Sequence, residues 1–150
     1  MAQTLDIQVE GLDQIEKNLE ELDQNIRRKV VRSATRRTGR PLVRMMRRNI
    51  RANDTEDSGA LYKSIRVWAP RSSKSKSLVY VGPNPRQAPH AHLVEFGSGP
   101  RYTSDGQYRG EMPPAPYARP AWDEYKSQVI AEMINNLNEM TVREIRKLGV

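Results

Sequence analysis

The chain has no cysteine and a single phenylalanine among its 150 residues. Without thiols there is neither a disulfide framework nor Cys-ligated zinc, and the absence says little about compartment. No apolar run approaches the roughly 18 residues that a membrane-spanning helix needs. The opening Met1-Ala2-Gln3-Thr4-Leu5-Asp6 has neither a basic stretch nor an apolar core, so no secretory signal is read there and a soluble, cytoplasmically made protein is expected. A phosphate-binding Gly-rich loop with Lys is missing, and Ser98 lacks a nucleophile-elbow context. His90, His92 and Glu95 are the nearest thing to a metal cluster, but alternate histidines point in poorly converging directions. The acids Asp54, Glu56 and Asp57 match no calcium-loop spacing. No enzymatic activity, cofactor or metal is therefore expected.

What the chain does have is charge. The formal net charge is +7 and the pI about 9.9, which raises the prior for a polyanionic partner. Charged residues make up 29% and hydrophobic ones 37%, within the globular range, and the length suits one domain spanning 1–150. The charge is also divided. Met1 to Asp23 holds seven acids and Lys17 as its sole base, whereas Asn25 to Ala52 holds eleven bases and no acid. Helix-dipole compensation needs only a few charges in the terminal turns, so it does not account for eleven. The block is either a solvated face neutralised by acids elsewhere in the fold, or a contact with nucleic acid or an acidic protein surface.

Between those charges, Leu12, Ile15, Leu19, Leu22, Ile26, Val30 and Ala34 recur at three- and four-residue steps, one face of an amphipathic helix over Leu12 to Arg51. Gly39 and Pro41 predict a kink there, or a second helix with Pro41 in its first turn. Before it, Thr4 to Glu10 alternates as a strand. After it, Ala52 to Gly59 is a polar loop. Ser64 to Ala69 and Leu78 to Val81 alternate as two strands of a hairpin with a flexible tip at 70–77. His90 to Gly97 is an ordered island, a short helical turn or strand. Gly97 to Arg119 is a long Pro/Gly-rich loop in which Tyr102 and Tyr108 could flank a small hairpin. Trp122, Tyr125, Val129, Met133, Leu137 and Met140 then mark one C-terminal helix opened by Pro120. The expected fold is α+β, a small antiparallel sheet packed on a long, kinked or broken N-terminal helix and a C-terminal helix.

Four segments in order carry a family resemblance: Asp57-Ser58-Gly59-Ala60-Leu61-Tyr62-Lys63-Ser64-Ile65, Val79-Tyr80-Val81-Gly82, Leu93-Val94-Glu95-Phe96-Gly97, and Pro113-Pro114-Ala115-Pro116-Tyr117-Ala118-Arg119-Pro120-Ala121. With Val9-Glu10-Gly11-Leu12 before the long helix, they resemble the tail-completion (neck, minor tail or morphogenesis) proteins of long-tailed bacteriophages across essentially the whole chain. The acids at Asp54 to Asp57, where members often carry Pro, and the length of the loop from Gly97 to Met112 depart from that pattern. The resemblance implies a non-enzymatic virion protein, assembled in the host cytoplasm, that forms a homo-oligomeric ring at the head–tail junction. Its neighbours would be a head connector or adaptor and a tail terminator or tube, with DNA passing through the lumen and no membrane contact. A basic nucleic-acid-binding module is the alternative.

The interface residues expected on this reading are Arg36, Arg40, Arg44, Arg47 and Arg48 from the arginine block and Glu95, Arg101, Tyr102, Tyr108, Arg109 and Arg119 from the second half. Tyr102, Tyr108 and Tyr117 interleave with Arg101, Arg109 and Arg119, a mixture that suits protein interfaces and single-stranded nucleic acid equally. Glu95, a lone acid between Val94 and Phe96, is expected to pair with an arginine, with Arg119 the candidate.

Overall fold

A computed structural model describes residues 12–20, 22–53, 59–68 and 78–149. The expected strand at Thr4 to Glu10, the hairpin tip at 70–77 and most of the acidic loop lie outside the described residues. The elements are α1 (Leu12–Glu20), α2 (Gln24–Asn53), α3 (Ala60–Ser64), β1 (Arg66–Trp68), β2 (Tyr80–Gly82), α4 (Ala91–Phe96), α5 (Ala118–Tyr125) and α6 (Val129–Lys147). This is the expected α+β architecture, with a two-stranded antiparallel sheet lying on a long central helix.

The long N-terminal helix is broken, though not where Gly39 and Pro41 suggested. The interruption falls between Glu20 and Gln24, because Asp23 starts a new helix: its Oδ1 accepts the Asn25 N–H at 2.8 Å, the geometry of an N-cap. Arg27 closes the other side of the break. Its guanidinium donates to the carbonyls of Leu19 at 2.8 Å and Glu20 at 3.0 Å, which end α1.

Helix α2 then runs straight through Pro41. Pro41 removes one N–H from the ladder, but packing holds the chain helical around it. The Tyr125 hydroxyl donates to the Thr38 carbonyl at 2.8 Å, and the Asn136 amide donates to the Thr38 hydroxyl at 3.0 Å. Gly39 sits under the sheet, where a Cβ would stand 2.9 Å from Val81 Cγ2 and 3.2 Å from Val67 Cγ2. Here the glycine is required by close approach, not by backbone conformation.

The buried residues of α2 are Val30, Ala34, Thr38, Leu42, Met46 and Ile50, a strict step of four. At 3.6 residues per turn each step rotates the stripe by about 40°, so its two ends face different partners. The first half runs antiparallel to α6, with Lys29 near Glu144 at 3.6 Å and Arg37 on Glu139 at 2.8 Å. The second half carries Leu42, Met46 and Ile50 into the main core with Leu61, Ile65, Ala88, Ala91, Val94, Tyr117, Ala121 and Tyr125.

In the sheet, Arg66 pairs with Gly82, Val67 with Val81 and Trp68 with Tyr80, whose rings stack at 4.7 Å. The anticipated single C-terminal helix is two. It begins at Ala118, with Pro120 inside its first turn, and a turn at 126–128 separates α5 from α6.

Candidate interface surfaces

The segment 97–119, expected as a loop, is built in two parts. Ser98 and Met112 bridge antiparallel, with N–H···O distances of 2.8 and 3.1 Å, and Tyr102 bridges Tyr108 further out. Between them Arg101 N–H reaches the Gly110 carbonyl at 2.9 Å, and at the tip Thr103 N–H reaches the Gln107 carbonyl at 2.9 Å. The anticipated hairpin between the two tyrosines is present, as the tip of a longer β-arm.

Gly97 makes the base of that arm possible. It ends α4 at φ 75° with its N–H on the Leu93 carbonyl, and a Cβ there would lie 2.7 Å from the Met112 carbonyl oxygen. Only glycine combines the left-handed backbone with that approach. The arm's outer surface is aromatic and cationic. Phe96, Tyr102 and Tyr108 are 78, 63 and 58% exposed, and Arg101 and Arg109 are exposed beside them. The two tyrosine rings tilt against each other at 5.6 Å.

From Pro113 to Pro116 the chain returns to the core along α2. Asn53 donates its amide to the Ala115 and Pro116 carbonyls, and Asn49 to that of Tyr117. Glu95 then fixes the start of α5. It is 8% exposed, and its carboxylate takes three backbone N–H groups: Tyr117 at 2.8 Å, Ala118 at 2.9 Å and Arg119 at 2.9 Å. The next residue is Pro120, which has no N–H, so every free donor of the first turn is met. Helix-dipole polarity favours the same placement of a negative charge.

The expected pairing of Glu95 with the Arg119 guanidinium is thus corrected. Glu95 holds the backbone of Arg119, whose side chain is exposed. Tyr117 is likewise no interface aromatic. It is buried in the core, and burial, reinforced by the Glu95 charge, pushes its phenol up to about 12. His90 and His92 are exposed on α4, and the Glu95 carboxylate is directed at α5 instead. Among the described residues no group of His, Asp or Glu could hold a metal ion, and no helix is long and apolar enough to cross a membrane.

The arginine block separates into two sets. On one side, α5 and α6 supply counter-charges: Arg48 pairs with Glu124, Arg37 with Glu139 and Lys29 with Glu144. Arg48 and Arg37 hold Glu124 and Glu139 below the usual carboxylate range. These pairs form a solvated face neutralised by acids from elsewhere in the fold. Arg47 is also used internally, donating to the Ile65 carbonyl at 2.9 Å with its guanidinium 5.2 Å from the Tyr62 ring.

On the other side, Arg36, Arg40 and Arg44 are exposed and have no ion pair among the described residues. With Arg47 and Arg66 they flank a groove of about 350 Å³ along β1, floored by Val43, Ile65 and Val67. A second groove of about 400 Å³, apolar and lined by Val79, Val81, Trp122, Ile130 and Met133, lies on the β2 side. The sequence did not separate the two arginine sets, because both share one unbroken run. Their acidic partners lie about a hundred residues away. It also missed Arg66, Asp23 and Arg27, although an Asp directly before a helical run is a recognisable cap signal.

No curated protein and no solved structure matches the chain. A family model described as "Bacteriophage HK97-gp10, putative tail-component" matches residues 13–97, from α1 to the glycine at the base of the arm. The Pro-rich segment, the arm and the two C-terminal helices lie beyond the matched residues. The matched span includes the packing of α3 and of the sheet on α2. Leu61, Ser64 and Ile65 are fully buried, Ser64 Oγ donates to the Leu61 carbonyl at 2.7 Å, and Val81 closes over Gly39. On these grounds the chain belongs to the HK97 gp10-like family of bacteriophage tail components.

Proposed function

We propose that the protein is a non-enzymatic virion component that forms a homo-oligomeric ring at the head–tail junction. The ring would join the tail to the head connector around the DNA channel. The observation that carries this reading is the arm. Its base is locked by Gly97 and the Ser98–Met112 bridge, while Phe96, Tyr102 and Tyr108 hold their rings in solvent. Clustered exposed aromatics on a pre-ordered element are what a protein interface uses as anchors. An arm that contributes no residue between 98 and 111 to the core is suited to clasp a neighbouring subunit or the next protein in the tail.

The experiment is native mass measurement of the purified chain beside a variant with residues 99–111 replaced by Asn-Gly, which joins the hydrogen-bonded Ser98–Met112 pair by a tight turn. The full chain is expected as a closed oligomer and the shortened one as a folded monomer. A monomeric full chain under assembly conditions contradicts the reading. The second reading, a nucleic-acid-binding module, is favoured only by the free arginine stripe. It predicts a monomer or dimer whose DNA binding falls steeply with salt.

A further inference from the structure

Three acids on α1, Asp13, Glu16 and Glu20, are exposed and have no ion pair among the described residues. At about 100° per residue they fall within roughly 60° of one another, one face of the helix, with Lys17 at its margin. The opposite face is anchored by buried Ile15. Arg36, Arg40 and Arg44 are likewise exposed and unpaired. They lie on a four-residue step, so they share a gently turning ridge above the β1 groove. Asp13 to Glu20 spans about 10 Å and Arg36 to Arg44 about 12 Å at 1.5 Å per residue, and the exposed Arg28 and Arg32, also without an ion pair among the described residues, continue the basic ridge on the same four-residue step.

Elsewhere on α2, Lys29, Arg37 and Arg48 are met within the chain by Glu144, Glu139 and Glu124. Two exposed faces of opposite sign, on different helices, have the form of a heterologous contact, which closes into a ring when the rotation permits. We infer that the acidic face of α1 in one subunit docks on the Arg36–Arg40–Arg44 ridge of the next, so that this charge pairing sets subunit order in the ring. This rests on the ring reading above and names the partner of the arginine surface as a second copy of the chain. Charge complementarity of this kind fixes register and suppresses wrong partners.

The test is a charge swap. One variant carries Arg36→Glu, Arg40→Glu and Arg44→Glu; a second carries Asp13→Lys, Glu16→Lys and Glu20→Lys. All six positions are exposed, so both variants should keep the parent's circular dichroism and melting profile. Alone, each sets like charge against like and is expected to assemble roughly a hundredfold or more weaker than the parent. Mixed in equal amounts, they should recover rings in which the two variants alternate. Recovery on mixing supports the contact.

Rings that form normally in either variant alone overturn the pairing and leave the ring reading standing. A parent that never assembles overturns both. If only the arginine variant is impaired, mixing restores nothing and DNA binding is lost, the ridge contacts DNA and the pairing is wrong. If a variant melts well below the parent, Arg40→Gln and Glu16→Gln replace it, with the expected result that each weakens assembly and that the loss grows from 1 M to 0.1 M salt, as the screening length rises from about 3 Å to about 10 Å; an equal loss at both salts overturns the pairing.

Discussion

Glu95 holds Arg119 by its backbone. The carboxylate Oε1 accepts the Arg119 N–H at 2.9 Å, while Oε2 takes those of Tyr117 and Ala118. One side chain thus ties α4 to the start of α5 across the whole arm. Glu95→Gln replaces one acceptor oxygen with an amide that donates, facing a buried donor. It is expected to cost about 1–3 kcal/mol, the penalty of an unmet buried hydrogen-bonding group. Urea denaturation checks this, and a midpoint equal to the parent's would show that the cap does not hold α5.

Gly97 and Gly106 share a left-handed backbone, with φ of 75° and 77°, but only at Gly97 does a Cβ meet other atoms. Alanine at either position carries a conformational penalty, of order 1–3 kcal/mol and weighted to Gly97, whose ψ of 178° lies in a region that only glycine adopts readily. Gly97→Ala adds the clash with the Met112 carbonyl and should therefore destabilise clearly more than Gly106→Ala. Equal losses in thermal denaturation would show that the approach of Met112 to Gly97 does not constrain the arm.

The phenol of Tyr117 gives the fold an alkaline limit. Unfolded it ionises near 10.0, and folded it is held up to about 12 by burial and by Glu95. Between those values the folded state binds more protons, so this contribution is complete below pH 10 and is lost as pH rises toward 12. Tyr125 is raised in the same direction, first by burial and then by Glu132. Tyr117→Phe is expected to make the fall in melting temperature over this window shallower without abolishing it. An unchanged slope would contradict the assignment.

Pro41 leaves α2 one hydrogen bond short, at the Arg37 carbonyl. Pro41→Ala restores the donor, and the gain should exceed the roughly 0.4–1 kcal/mol of unfolded-state entropy that the substitution returns. A rise in stability of about 1–2 kcal/mol is expected on chemical denaturation. A fall would mean that the proline ring itself packs a structure that alanine cannot.

These residues also show what the sequence made legible. Apolar spacing located α2 and α6, and alternation located both strands, because each element buries one regular face. The break before Gln24 was hidden because Leu19, Leu22 and Ile26 keep the helical period across it, while the stop is made by one Asp23 oxygen and the Arg27 guanidinium. Pro41 drew the break instead, since local rules weigh a lost N–H and cannot weigh Tyr125 and Asn136 arriving from some ninety residues away. In the same way the sequence marked Glu95 as special but not its partners, which are backbone groups and carry no residue signature. The arginine run was visible at once. Its division into paired and free faces was not, because that depends on where α5 and α6 lie.

The proposed place at the head–tail junction is tested by electron microscopy of assembled virions carrying a labelled copy of this chain. The label is expected as a single collar where tail meets head, and particles lacking the protein should accumulate as separate heads and tails. Label along the tube or at the distal tip, or normal joining of heads to tails without the protein, would contradict it.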